Sequence, residues 1–415
     1  MTSYDIYLIA PQLAMAGIGL IVIVFDLVFR RSKLLPVIAF VGLLVPIGLT
    51  LIQLKDLTAS DSSGLVIQSS VFHGSLMVDQ FSLFFNFLIL IVTGLVILSS
   101  NDYLSRMDRN RAEYFGLILL SATGMLVLVG ATELITIYIA LELTTLPLIA
   151  LSSMLFTAKS TDAGMKFLVI GALSSAVMLY GMTLIFGFTG STTLSGISDA
   201  LALAHNSDIP FGSYAVLVGM LLLIVGFGFK LSAVPYQMWV PDVYEGAPTP
   251  VVTFLSVASK SAAFALVLRV LCSGFIDLQL EWTILIACLA AASMTVGNLA
   301  ALVQNNIKRL LGYSTIAHAG YILVGIAAIG GDSSSSLFSH MGPSSVLFYL
   351  VAYAAANLTA FFSIILYCNS ANEIQDSIDI SHIYYYTRIN DYQPCARLGL
   401  VSRHPQGAFT LWDPA

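Results

Sequence analysis

Apolar residues along this chain gather into long unbroken runs, not the alternating or one-faced patterns of a soluble fold. Runs long enough to cross a bilayer, about 17–25 residues each, lie at 8–29, 34–52, 78–99, 114–132, 134–156, 167–188, 213–234, 249–272, 282–303, 310–330 and 345–368. The pattern predicts eleven membrane-spanning helices. The seventh run is unusual. From Ser213 to Trp239 a single helix would measure about 40 Å at 1.5 Å per residue, longer than the hydrocarbon core. It holds Gly226, Gly228 and Pro235 around Lys230. These residues point to a helix broken within the membrane, its freed backbone groups facing protein or water, as at transporter ion sites. A proline kink beside a helix end would explain the same residues.

Composition agrees with the pattern. Of 415 residues 58% are hydrophobic and 10% charged, against about 25% charged in a soluble domain. The chain reads as an all-α polytopic membrane protein in a lipid bilayer. The net charge of −6 matters less than where the charges lie. Arg30, Arg31 and Lys33 follow the first run, Arg106, Arg109 and Arg111 the third, Lys159 and Lys166 the fifth, and Lys308 and Arg309 the ninth. With alternating spans all fall on one side, and the opposite loops hold Lys55 alone. The positive-inside rule then puts the N-terminus outside. The opening MTSYDIY lacks a basic n-region, so the first run is expected to remain as a span.

Several chemistries are argued against. Cys272, Cys288, Cys368 and Cys395 are far apart, with no CxxC pair and no nearby histidine cluster, unlike an iron–sulfur, zinc or disulfide framework. GFGFK at 226–230 lacks the third glycine and strand–helix context of a dinucleotide fingerprint, and it is not a P-loop. There is no basic aromatic patch for nucleic acid and no nucleophile elbow.

What remains is a set of ionisable residues inside the spans. Glu142, Lys230 and Lys260 sit in ALELTTLP, GFGFKLSAVP and SVASKSAAF. Such a side chain at a helix centre costs about 2.5–3.5 kcal/mol on insertion scales, so it marks a functional site by default. Two lysines and one carboxylate suit a proton path, because neighbouring charges bias one another's protonation. Glu142, roughly 12 Å from the outer end of its run by helical rise, is either such a carboxylate or a structural partner to a neighbouring helix. Glu133 reads as interfacial. Lys260, near mid-membrane, changes protonation on burial more readily than an arginine would. Arg269 on the same run is expected to snorkel. His318 could relay protons or simply hydrogen-bond. Asp79 could cap the third helix.

The stretch GFGFKLSAVPYQMWVPDVYEGAPTPVVTFLSVASK at 226–260, with ALELTTLPL at 140–148 and QNNIKRLLGYSTIAHAGY at 304–321, closely resembles the subunit N (subunit 2) family of respiratory complex I, the proton-pumping NADH-quinone oxidoreductase. The matches span most of residues 1–368. The related L, M and Mrp-antiporter subunits read KSAQ…PLHxWLPDAM where this chain has KLSAVPYQMWVPDVYEGAP. The resemblance implies an antiporter-like fold of inverted five-helix repeats. On this division 1–112 holds helices one to three, 113–272 the first repeat, 273–368 a partial second repeat, and 369–415 a polar tail. It further implies proton-path roles for Glu142, Lys230 and Lys260, with His318 a weaker candidate, and partnership with the other membrane-arm subunits. No cofactor is expected on this chain; NADH, FMN, the iron–sulfur clusters and most of the quinone site would lie on other subunits. A bacterial inner membrane is the implied location, ahead of an organelle membrane. An Mrp-type cation/proton antiporter subunit and a non-pumping structural remnant are the competing readings.

Two departures from the family pattern stand out. Gln237 occupies the position where the family usually has histidine. After Asn372 the chain reads NEIQDSIDISHIYYYTRINDYQPCARLGLVSRHPQGAFTLWDPA, without the SLxGIPPxxGF-like segment and the lysine-bearing twelfth helix that the family pattern implies. The second repeat is thus incomplete as read, and a frameshift or a truncated gene model, with out-of-frame residues from about 381 onward, is expected ahead of a natural polar extension. Translating the gene in its other two frames tests this: one should resume a GIPP-like apolar segment, and its absence from both would dispose of the idea.

Overall fold

The computed structural model describes residues 3–29, 34–61, 69–104, 111–205, 210–330, 336–371, 401–403 and 409–411. Eleven of its helices are long and apolar enough to cross a membrane. In order they are Ala10–Phe29, Leu35–Thr58, Gln80–Asn101, Arg111–Gly130, Leu134–Ser152, Ala158–Thr189, Tyr214–Leu231, Thr249–Gly274, Ile276–Leu302, Ile307–Ala327 and Gly342–Tyr367. Each corresponds to one apolar run of the sequence. Arg30, Arg31, Lys33, Arg106, Arg109 and the frame-change position near 381 lie outside the described residues.

Lipid offers no hydrophobic drive for helices to pair, so packing falls to small residues that let backbones approach. Gly124 of the fourth span lies so near the fifth that an added Cβ would sit 2.7 Å from the Thr144 amide nitrogen. Gly181 of the sixth and Gly219 of the seventh face each other in the same way, a Cβ on Gly181 meeting the Gly219 carbonyl at 2.7 Å. The ninth and tenth spans pack along their lengths. The eighth span lies at the centre, buried over nearly all of its length against the third, fourth, fifth, seventh and eleventh spans. A five-residue π-helical turn, Leu255–Ser259, interrupts it just before Lys260.

Three sequence expectations about basic residues change. Arg269 does not snorkel. It is 6% exposed, with its Nη2 2.9 Å from Asp79 Oδ1, its Nε donating to the Val129 carbonyl at 2.9 Å, and its guanidinium over the Phe81 ring. A fixed carboxylate and a free carbonyl nearby replace the water it would otherwise reach for. Asp79 also caps the third helix as expected, accepting from the Ser82 amide at 2.7 Å. Lys159 and Lys166 are not loop residues but lie near the start of the sixth helix, which Thr157 caps by accepting from the Ser160 amide. Lys308, expected in the loop after the ninth run, lies instead in the first turn of the tenth helix, is 1% exposed and donates to the Ala247 carbonyl at 2.8 Å.

The Arg269–Asp79 pair ties the C-terminal half of the eighth span to the start of the third. Asp79→Asn would strand a buried guanidinium, and removing one partner of a buried pair costs about 3 kcal/mol. The expected result is a lower thermal unfolding midpoint in detergent, while Asp79→Glu keeps most of the stability.

Candidate proton path

Lys230 is the penultimate residue of its helix, and the helix ends there by a specific device. Ser232 has φ 60°. The Ala233 amide donates to the Gly228 carbonyl at 2.9 Å and the Ser232 amide to the Phe229 carbonyl at 3.1 Å. This is the paired closure of a Schellman motif, with serine where glycine is usual. The break is therefore not made by Gly226 and Gly228. Those two give room instead: a Cβ on Gly226 would meet Met178, and one on Gly228 would meet the Tyr236 ring. The Trp239 indole also donates to the Phe229 carbonyl, at 3.2 Å, and the Val234 amide to the Ser293 hydroxyl at 2.9 Å. The chain re-enters helix as a short connector, Trp239–Gly246, so the broken-helix expectation holds.

The last carbonyl of the broken helix, that of Leu231, accepts from the Lys260 ammonium at 3.3 Å. A helix C-terminus carries partial negative charge, so a cation there is stabilised without a carboxylate. Lys260 is 2% exposed and makes a second bond to the Thr315 carbonyl of the tenth span, also at 3.3 Å.

Toward the fifth span, the Lys230 ammonium donates to the Thr145 hydroxyl, whose own proton goes to the Leu141 carbonyl at 2.6 Å. Glu142 lies one turn before Thr145 and accepts from the Ser175 hydroxyl of the sixth span. The carboxylate and the ammonium make no direct ion pair, so a hydroxyl holds each of them. Pro147, five residues on, has no amide proton, which leaves the Leu143 carbonyl without its helical donor.

His318 is one turn beyond Thr315 on the tenth helix. Its Nδ1 lies 2.7 Å from the Tyr349 hydroxyl, and the Tyr321 and Tyr353 rings flank it at centroid distances of 5.7 and 5.4 Å. The Tyr353 hydroxyl donates to the Ser256 carbonyl in the π-helical turn at 3.1 Å.

The four candidate residues thus lie in one row, in which hydrogen bonds join Ser175 to Glu142, Lys230 to Thr145, Lys260 to the Leu231 and Thr315 carbonyls, and His318 to Tyr349, and the remaining steps run along the helices themselves. Ser175, Thr315 and Tyr349 were not singled out from the sequence. Their signal was faint: a Ser-Ser pair, a threonine and a tyrosine within otherwise apolar runs. Glu133 stays outside the row, its carboxylate accepting from the Thr136 and Thr192 hydroxyls. The Gln237 side-chain oxygen is buried without a hydrogen-bond partner. Among the described residues no three His, Cys, Asp or Glu side chains gather as a metal site.

Comparisons with known proteins bear on the family and the fold. The model of the NADH:quinone oxidoreductase/Mrp antiporter transmembrane family matches residues 131–396. NADH-quinone oxidoreductase subunit N of Desulforamulus reducens is 39% identical over 379 residues, covering 90% of this chain and 74% of its own length. Subunit N of Dehalococcoides mccartyi is 41% identical over 362 residues, covering 86% of this chain and 72% of its own length. A chain of respiratory complex I from Thermus thermophilus with bound Aureothin superposes with a TM-score of 0.65 at 30% identity, over 85% of this chain and 69% of that one. A chain of the Mrp complex from Dietzia sp. DQ12-45-1b gives 0.69 at 20% identity, over 88% of this chain and 65% of that one, and shares the fold.

The Ser232 turn makes a stability prediction. A left-handed non-glycine residue costs about 1–2 kcal/mol, and the buried Ser232 hydroxyl has no hydrogen-bond partner. Ser232→Gly removes both penalties and gives back part of the gain as unfolded-chain entropy. It should raise the unfolding midpoint of the detergent-solubilised protein by an amount equal to about 1 kcal/mol, and Ser232→Val should lower it.

Proposed function

Because the chain belongs to the NADH:quinone oxidoreductase/Mrp antiporter transmembrane family, with NADH-quinone oxidoreductase subunit N proteins among its relatives, we propose that it moves protons across the membrane as a membrane-arm subunit of such an oxidoreductase. The observation that carries this reading is the Glu142–Thr145–Lys230–Leu231–Lys260 row. It places two cations and one carboxylate inside the bundle, with the Thr145 hydroxyl bonded to one lysine and the Leu231 carbonyl to the other.

The mechanism is electrostatic. Two unit charges 4 Å apart interact by about 4 kcal/mol at an effective dielectric of 20, and by half that at twice the distance. Moving the Glu142 carboxylate toward Lys230 favours the protonated lysine. Moving it away, onto Ser175, favours release of that proton, which Lys260 can take once it has passed its own proton on toward His318. Lys230, Glu142 and Lys260 fall within 113–272, which we take as the first repeat, and His318 within the partial second repeat, 273–368. The driving force comes from NADH oxidation and quinone reduction on partner subunits, which carry the redox cofactors. The membrane is a bacterial inner membrane. Lys159, Lys166 and Arg309 meet through shared carboxylates at one end of the bundle, which supports reading that end as cytoplasmic and the N-terminus as external.

In the assembled complex, Glu142→Gln and Lys230→Ala should each abolish pumping-coupled quinone reduction while assembly persists. NADH-driven quinone reduction and vesicle acidification are the measurements. Normal coupled activity in both variants would overturn the assignment.

A further inference from the structure

The connector helix Trp239–Gly246 is the covalent link between the two path lysines. It begins after the Ser232 turn and ends where the eighth span starts. It packs against the sixth and tenth spans and is held at both ends. At the break, the Trp239 indole stacks on Phe167 of the sixth span, with ring centroids 4.5 Å apart and planes 9° off parallel. At the far end the hold is ionic.

Asp242 and Glu245, three apart and so on one face of the connector, receive charges from both neighbouring spans. Asp242 takes Lys166 Nζ of the sixth span at 2.8 Å and Arg309 Nη1 of the tenth at 2.8 Å. Glu245 takes Lys159 Nζ at 3.2 Å and the same Arg309 nitrogen at 3.2 Å. Asp162 braces Lys166 from its own helix at 2.7 Å. The set balances, with three carboxylates against three cations. One residue beyond the connector, Lys308 donates to the Ala247 carbonyl. Burial works against the charge of Asp242, but its bonds to Lys166 and Arg309 outweigh this and hold its carboxyl below the usual aspartate range. It is therefore ionised throughout the physiological range.

We propose that Asp242 is a positioning residue for proton transfer between Lys230 and Lys260. Clamped by one cation from the sixth span and one from the tenth, it fixes the connector, and with it the distance from the Leu231 carbonyl to the Lys260 ammonium. Asp242 itself has no bond to any member of the row. It acts by holding the segment through which the two lysines are joined. A connector free to slide breaks the 3.3 Å contact and leaves Lys260 facing its partners at the wrong distance. This inference rests on the reading that Lys230 and Lys260 carry the transferred proton.

The test uses the assembled oxidoreductase in inverted membrane vesicles, with its amount normalised on native gels. Asp242→Asn should lower the rate of coupled quinone reduction and of vesicle acidification at least threefold without changing KM for quinone. Asp242→Glu, which keeps the charge, should retain more than half of both. Arg309→Gln should cause a similar loss, and the double variant Asp242→Asn/Arg309→Gln should be no worse than the worse single, because both remove one clamp. Lys166→Met serves as a milder variant if Asp242→Asn does not assemble, with the same expected loss. Wild-type pumping in the neutral variants, losses that multiply in the double, or a loss in Asp242→Glu as deep as in Asp242→Asn would overturn the proposal. Lys230→Ala is measured in parallel. If it abolishes pumping while Asp242→Asn does not, only the clamp falls. If it pumps normally, the proton-path reading falls, and the clamp with it.

Discussion

Inside a bilayer lipid offers no hydrogen-bond donor, so a carbonyl freed by a helix break must turn toward protein or water. The seventh helix stops at Leu231 and exposes that problem among the central spans. Its solution sets the arrangement of much that surrounds it. The Gly228 and Phe229 carbonyls are closed by the turn at Ser232 and by the Trp239 indole. The Leu231 carbonyl is closed by Lys260. A buried ammonium and an orphan helix terminus are each unfavourable alone, and each is what the other lacks. That complementarity explains how a lysine can lie 2% exposed among apolar spans with no carboxylate bonded to it.

The π-helical turn before Lys260 belongs to the same accommodation. A π turn inserts an extra residue and shifts the side chains that follow it around the helix axis. Here it falls at Leu255–Ser259, and the Tyr353 hydroxyl binds the Ser256 carbonyl within it. The turn thereby fixes where Lys260 points. The same tyrosine flanks His318, so the irregular backbone of the eighth span and the aromatic cluster around the histidine are one packing unit.

How much of this could be read from the chain depends on the range of each interaction. Eleven apolar runs gave eleven helices, because bilayer thickness imposes a length that local composition reports directly. Lys230, Lys260 and Glu142 announced themselves by the cost of a charge in hydrocarbon. The broken helix was legible from its excess length, yet its cause was not: two glycines drew attention, and the left-handed residue is a serine. Arg269 and Lys308 were misplaced for a related reason. Whether a basic side chain near a span end reaches water or turns inward depends on the carbonyls and carboxylates brought there by other helices, such as Val129, Asp79 and Ala247. Nothing local in the sequence encodes those neighbours. Ser175, Thr315 and Tyr349 were missed likewise, since a hydroxyl or a carbonyl gains its role only from the group packed against it.

The distribution of charge follows from the same physics. Direct ion pairs occur at the ends of the bundle, at Asp79–Arg269 and around Asp242 and Glu245. Glu142, Lys230 and Lys260, within the spans, are held by hydroxyls and carbonyls instead. A direct pair in the low-dielectric interior would be strong and slow to part, because its mutual attraction is little screened. A hydroxyl or a helix-terminal carbonyl stabilises a charge less and releases it more readily. The ends of the bundle thus carry the contacts suited to fixing helices in place, and the interior carries contacts suited to changing partners. A row built of salt bridges would satisfy its charges better and exchange partners more slowly.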